Sequence, residues 1–185
     1  APAVRNWLRA GTLAADRSAE VESIAHLRRG LALVEQMPEG RERLQLELEL
    51  QNILGRTWSI GHSFAAPEVE QAYRRALDLC SQLGNVPQMF SALMGLWSVH
   101  IVRNDVPVAL DLASRLMSLA ESMQHPPALV AAHFTLGATR FFSGDLAVSQ
   151  GHLEDAVAID ARLARAPASA ARVDAPCEIS GLVRV

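Results

Sequence analysis

Residues 131–160 read AAHFTLGATRFFSGDLAVSQGHLEDAVAID and contain two amphipathic helical patterns separated by a short polar break. Leu136 and Gly137 lie in the middle of the first pattern. Gly144 and Asp145 mark the break, since glycine commonly ends a helix and aspartate commonly caps the next one. The second pattern repeats at spacings of three, four and seven along one stripe: Leu146, Leu153, Ala156 and Val157. The segment therefore predicts two antiparallel helices joined by a tight turn.

A small-residue signature ending in glycine recurs along the whole chain. It occurs as Ala10-Gly11, Leu54-Gly55, Met94-Gly95 and Leu136-Gly137, with glycine spacings of 44, 40 and 42. Each signature lies in an apolar helical stretch that is followed by a polar break and a second amphipathic stretch. Self-similarity at such a period is typical of stacked helical repeats. The sequence therefore predicts an all-α fold of about four helix pairs.

The pattern predicts eight helices and a tail. The helices fall near residues 3–16, 19–36, 42–59, 67–83, 87–102, 106–123, 127–142 and 146–164. The helical repeat domain then covers residues 1–165. Residues 166–185, APASAARVDAPCEISGLVRV, contain two prolines and weak periodicity, which favours a non-repeat C-terminal tail. The link GHSFAAP at 61–67 is longer than the other turns within helix pairs.

The mid-helix glycines predict close contacts between helices. Glycine inside a helix costs about 1 kcal/mol relative to alanine, so its presence there calls for a packing reason. We expect Gly137 to lie where two helices touch, with no room for a larger side chain. We expect small residues on the second helices, Ala76 and Ala156, to receive such contacts.

The fourth helix pair resembles the tetratricopeptide repeat, whose signature runs Trp-x2-Leu-Gly-x2-Tyr, then Ala-x3-Phe, then Pro. The positions that fit are His133, Leu136, Gly137, Gly144, Asp145, Leu153 and Ala156. The sequence departs from the signature at Arg140, Ser149 and Ala161, where Tyr, Ala and Pro are usual. The resemblance implies a right-handed superhelical array of antiparallel helix pairs, a tetratricopeptide-like α-solenoid.

Two longer segments are similar to the C-terminal helical region of certain bacterial multidomain regulators. They are IAHLRRGLALVEQMPEGRERLQLELELQNILG at 24–55 and AAPEVEQAYRRALDLCSQLGNVPQMFSALMGLW at 65–97. Such regulators carry a nucleotide-cyclase domain, a signal-transduction ATPase domain and C-terminal tetratricopeptide-like repeats. The resemblance implies a regulatory or sensor segment of a bacterial signalling protein, and it carries neither cyclase nor ATPase activity to this chain.

Composition argues against nucleic-acid and membrane partners. The chain has 185 residues and a formal net charge of −3, and its 17 basic residues are all arginines interleaved with acidic ones. The longest segment without a charged residue, Leu79 to Val102, contains Pro87 and two glycines and is a poor membrane span. Two cysteines without metal-binding spacing, Cys80 and Cys177, favour a reduced, cytoplasmic protein.

The sequence also lacks the usual patterns of catalytic chemistry. Neither a phosphate-binding loop nor a Gly-x-Ser-x-Gly elbow occurs, and the chain has no lysine. None of the six histidines has HExxH spacing. His152 and Asp155 share one helix face with i, i+3 spacing, which is typical of an ordinary solvated pair. We therefore expect no enzyme activity, no catalytic residue, no cofactor and no metal ion.

The tetratricopeptide resemblance also implies a ligand groove, because the first helix of each pair lines the concave side of such arrays. The positions that map to this groove are Asn52, Arg56, Leu96, His100, Phe134, Ala138 and Phe142. The phenylalanines have a competing interpretation, as core residues between neighbouring repeats. The expected partner is a protein or peptide, with apolar anchors and a few polar contacts.

Two other functions are also consistent with the sequence. In the first, the array is a self-associating regulatory module, because the absence of a fifth repeat leaves an apolar face that can dimerise. In the second, the chain is an all-α enzyme, which requires a deep pocket with converging histidines and carboxylates. The motif search favours the binding scaffold over both.

Overall fold

The computed structural model describes residues 2–61 and 63–165. Within these ranges the chain forms eight α-helices and no strand: α1 (Pro2–Asp16), α2 (Glu20–Glu35), α3 (Arg41–Gly61), α4 (Pro67–Leu83), α5 (Val86–Val102), α6 (Val106–Met123), α7 (Pro126–Phe142) and α8 (Leu146–Arg165). The predicted all-α class and all eight helices are confirmed. The predicted tail lies outside the described residues.

Turn chemistry fixes several of the helix ends. Gly84 and Gly144 have φ of 67° and 82°, a left-handed conformation that glycine adopts without steric strain. The Asn85 side chain accepts a hydrogen bond from the backbone N–H of Gln88 and so caps α5. Prolines begin α4 and occupy the first turns of α5, α6 and α7, where a missing N–H has no helical partner to lose.

Helix packing divides the chain into two compact units, Ala1–Arg103 and Asn104–Val185. The first unit, called unit 1, contains α1 to α5. The second, unit 2, contains α6 to α8 in its described part. No helix among the described residues combines the length and apolar character needed to cross a membrane.

Helix α3 is the centre of unit 1. Its sequence alternates leucine with Gln or Glu from Leu44 to Leu50, a period of two that also suits a strand. Leu, Glu and Gln are strong helix formers, and a helix here can bury leucines on both sides. One core cluster takes Leu46, Leu50 and Leu54 with residues of α1 and α2. A second takes Leu48 with Ala76, Leu79 and Cys80 of α4 and Ala92 of α5.

Unit 2 is built mainly through small side chains. The buried residues of α6 are Ala109, Leu112, Ala113, Leu116 and Ala120. Those of α7 are Ala128, Val130, Ala131, Ala132, Thr135, Leu136, Gly137 and Thr139. Helix α8, in contrast, buries only Ser149 and Ala156. Most of the surface of α8 is therefore exposed.

The repeat glycines lie at tight helix contacts, as predicted. A Cβ atom on Gly137 would lie 2.8 Å from Leu153 Cγ and 3.2 Å from the Ser149 carbonyl oxygen, closer than carbon atoms normally approach. On Gly55 it would lie 2.9 Å from Tyr73 Cζ, and on Gly95 it would also overlap the Tyr73 ring. The neighbours nearest to these glycines are thus larger than the expected Ala76 and Ala156.

A serine hydroxyl accompanies this contact in the first and last helix pairs. Ser23 of α2 donates to the carbonyl oxygen of Gly11 at 2.9 Å, and Ser149 of α8 donates to that of Gly137 at 2.8 Å. Each serine follows its glycine by 12 residues and is buried. Ser149 departs from the tetratricopeptide signature, and this hydrogen bond supplies the physical reason.

The long link before α4 is held by one arginine. Arg103, just after α5, donates to the carbonyl oxygen of Ala65 at 3.1 Å from Nε and 2.9 Å from Nη2. It also forms an ion pair with Glu70 of α4. Arg103 therefore ties the link to the end of α5 and to α4 within unit 1.

Candidate functional site

One exposed apolar surface of unit 2 lies on α8 and the end of α7. Leu146, Leu153 and Val157 are 59%, 36% and 68% exposed, and Phe141 of α7 is 57% exposed. We call these four residues the apolar stripe. They line an open concavity of about 540 Å³, whose other residues include Ala158 and Ala161. Large apolar side chains clustered on a surface commonly mark an interaction site.

Helix α8 buries little of the stripe that its sequence pattern predicts. The pattern placed Leu146, Leu153, Ala156 and Val157 on one apolar stripe. In the structure only Ala156 is buried, with 7% exposed, while Leu146 and Val157 lie at the surface. Since Ser149 and Leu153 of α8 both meet Gly137 of α7, Leu146 and Val157 turn away from this contact. Periodicity identified the stripe but not whether another helix covers it.

Polar side chains border the concavity. Gln150 donates to Glu154 at 2.7 Å, and both residues line the concavity. Among the described residues no positive side chain lines it. A partner with one or more basic residues beside its apolar face would suit this border.

The four groove positions in unit 1 differ in accessibility. Arg56 is exposed, and its guanidinium lies 4.0 Å from Asp16. Asn52 is half-buried, and its Oδ1 atom is buried without a hydrogen-bond partner in the described part of the chain. Leu96 and His100 are buried, with 4% and 6% exposed. Their participation in a ligand groove stays a prediction.

The three groove positions in unit 2 are more accessible. Phe134 is 45% exposed and Phe142 is 57% exposed, while Ala138 is half-buried. The Phe142 ring packs edge to face against Phe141, with centroids 5.7 Å apart. Both phenylalanine rings are therefore exposed at the surface. Phe142 lies next to the apolar stripe, because it packs on Phe141.

Glu70 is the most connected carboxylate of unit 1. It accepts a hydrogen bond from Arg74 Nε at 2.8 Å, pairs with Arg103, and lies 3.9 Å from His100 Nε2. Burial alone would raise the pKa of Glu70, but the hydrogen bonds from Arg103 and Arg74 outweigh burial and lower it. Each arginine is already engaged, so this cluster is structural.

A histidine cluster joins α7 to α8. His133 Nδ1 lies 3.3 Å from His152 Nδ1 and 3.7 Å from an Asp155 carboxylate oxygen. One ligand atom from each residue fits within a group no wider than 4.8 Å. Burial lowers the pKa of His133, against the opposing effect of Asp155. The sequence showed His152 and Asp155 on one face but not His133, because the alignment of α7 against α8 is set by packing.

No protein-family model matches the chain, and a search of curated proteins finds no match.

Proposed function

We propose that this chain is a binding scaffold, and that the apolar stripe docks an amphipathic helix from a partner protein. The observation that carries this proposal is the exposure of Phe141, Leu146, Leu153 and Val157 around one concavity. The residues of α8 are spaced by seven and four, so they form a ridge over three turns. A second helix with an apolar face is the element that packs best against such a ridge.

The expected affinity is modest. Fully burying a large apolar side chain contributes about 1.5–3 kcal/mol, and four such side chains are partly exposed here. Association and the ordering of side chains offset much of this gain. A peptide helix should therefore bind in the micromolar range, as suits a reversible regulatory contact.

We propose the groove predicted from the sequence as a second binding surface. Arg56 is exposed and its ion pair with Asp16 is long, so a partner carboxylate can replace Asp16 with little loss. Phe134 and Phe142 offer exposed rings as apolar anchors. Of the other predicted groove positions, Asn52 and Ala138 are half-buried, whereas Leu96 and His100 are buried and offer little surface to a ligand.

We further propose that the four helix pairs stack as a right-handed, tetratricopeptide-like solenoid in the cytoplasm. The recurring serine-to-glycine hydrogen bond in the first and last pairs supports a common repeat geometry. A regulatory role in signalling is proposed from the resemblance of residues 24–55 and 65–97 to bacterial cyclase and ATPase regulators. On this view the chain binds proteins or peptides and catalyses no reaction.

Self-association is the second candidate, and the same stripe favours it. Every copy of the chain carries an identical stripe, so two copies can pack stripe to stripe about a two-fold axis. Such a dimer would close the concavity without any other partner.

A matched pair of variants tests the proposed function. Val157→Asp places a charge in the stripe, and Val21→Asp places one on α2, where Val21 is 82% exposed. Amphipathic helical peptides selected from a displayed library against the full chain should bind Val21→Asp and lose at least tenfold in affinity for Val157→Asp. Binders that tolerate Val157→Asp would show that the stripe is not the docking surface.

Sedimentation equilibrium separates the two candidates. A scaffold for other proteins stays monomeric across micromolar concentrations. A self-associating module dimerises, and only Val157→Asp shifts it to monomer.

A further inference from the structure

We propose that His133, His152 and Asp155 form a zinc site that ties α7 to α8. The site is independent of the docking function and lies on other residues. Its three side chains are of the types that bind Zn²⁺ most often in proteins, apart from cysteine. Two come from one turn of α8 and the third from the facing helix.

The distance between the histidines matches a tetrahedral ion. Two Zn–N bonds of about 2.05 Å at the tetrahedral angle place the nitrogens about 3.3 Å apart. The His133 and His152 Nδ1 atoms are 3.3 Å apart. A separation of this size lets both nitrogens reach one ion.

The carboxylate completes three protein ligands. The Asp155 oxygen lies 3.7 Å from His133 Nδ1, so a small side-chain rotation brings it to the same ion. Asp155 is 64% exposed, which leaves it free to rotate. A fourth position then faces solvent and would take a water molecule.

The surroundings suit a divalent cation. The Asp155 carboxylate and, from α6, that of Glu121 act electrostatically on His133 and would offset positive charge. The His133 side chain is only 18% exposed, so an ion held there is partly shielded from solvent. Without metal, the Nδ1–H of one ring donates a hydrogen bond to the Nδ1 of the other, and this bond accounts for the same 3.3 Å separation. The experiment must therefore distinguish a bound ion from this hydrogen bond.

The test uses the full chain, freed of metal, in a Cys177→Ser background that removes a thiol outside the described residues. Isothermal titration with Zn²⁺ should give one site per chain. Co²⁺ should give the intense visible absorption of a tetrahedral site. Zn²⁺ should also raise the melting temperature, because it binds only the folded hairpin.

Variants assign the ligands. His152→Ala and Asp155→Asn should each weaken Zn²⁺ binding at least tenfold, since even loss of an outer-shell partner costs about 10- to 100-fold. His125→Ala is the matched control, because His125 precedes α7 and lies outside the cluster. It should leave the affinity unchanged. No Zn²⁺ binding by the parent chain, equal binding by Asp155→Asn, or an octahedral Co²⁺ spectrum would overturn the proposal. Circular dichroism checks that each variant is folded.

Discussion

At the residue scale, the glycines within helices differ in how closely a neighbouring helix approaches them. Gly137 and Gly151 lie in neighbouring helices of unit 2. A Cβ on Gly137 would overlap Leu153, whereas a Cβ on Gly151 would meet nothing within 4 Å. The same substitution at the two positions should therefore have opposite effects on the stability of the fold.

Gly137→Leu should destabilise the fold by about 1–3 kcal/mol, because the new side chain overpacks the contact between α7 and α8. Gly151→Leu should be neutral or stabilising by up to about 1 kcal/mol, because leucine is the better helix former. Urea unfolding of both variants measures the difference. If Gly137→Leu unfolds at the same urea concentration as the parent, the assigned contact is wrong.

Cys80 makes the fold sensitive to alkaline pH. Burial raises the pKa of its thiol from 9.0 to about 11, so the folded chain holds this proton more tightly than the unfolded chain. The contribution to stability is full below about pH 9 and is lost as the pH rises through 11. In a Cys177→Ser background, the free energy of unfolding measured by urea titration should fall between pH 8 and pH 10.5, by on the order of 2 kcal/mol at the upper limit.

Tyr73 complicates this measurement, because burial also raises its pKa, to about 12. Cys80→Ala isolates the thiol. In that variant the fall in stability over the same pH range should become shallower. An unchanged slope would show that Cys80 is not the responsible group.

Substitution of Asn52 tests whether this residue serves ligand binding at the expense of stability. Its Oδ1 atom is buried without a hydrogen bond in the described residues, and such a group costs about 1–3 kcal/mol. Asn52→Leu should therefore raise stability by about 1 kcal/mol in thermal unfolding. If Asn52 also belongs to a ligand groove, the same variant should bind a groove peptide more weakly. A destabilised variant would show that Asn52 is satisfied in solution.

At the scale of the elements, the helices followed from sequence to within two residues at each end. Apolar periodicity and the Gly and Pro turns were sufficient for this, because both act locally. The orientation of α8 was not predictable, since it depends on which neighbour covers the stripe. The pairing of His133 with His152 was missed for the same reason, because it depends on the register between two helices.

The link before α4 provides a prediction at this scale. Arg103 donates to Ala65 and pairs with Glu70, and both charged side chains are half-buried, with 28% and 20% exposed. Arg103→Met should destabilise unit 1 by about 2 kcal/mol, because it removes hydrogen bonds made by a charged group and leaves Glu70 less well paired. Faster hydrogen exchange near Ala65 should accompany the loss.

Arg115→Met is the control for this change. Arg115 is 52% exposed and lies 3.9 Å from Asp111, an ordinary surface pair worth little. Its substitution should leave the unfolding midpoint nearly unchanged. Equal effects of the two variants would contradict a structural role for Arg103.

At the scale of the whole molecule, α8 differs from the central helices in how little apolar surface it buries. Helices α3 to α7 each bury four or more apolar residues, whereas α8 buries Ser149 and Ala156 and leaves Leu146 and Val157 exposed. Leaving such a ridge in water forgoes hydrophobic stabilisation that a partner can supply. On the proposed function, α8 is therefore the helix that a partner covers.

Nuclear magnetic resonance of the full chain tests this claim most directly, with a helical peptide selected for binding as the probe. The account predicts that the peptide shifts the amide resonances of Phe141 and of residues 146–161 and leaves those of α1 and α2 unchanged. Val157→Asp should abolish these shifts. Shifts confined to α3 and α5, or shifts that persist in Val157→Asp, would contradict docking on the apolar stripe.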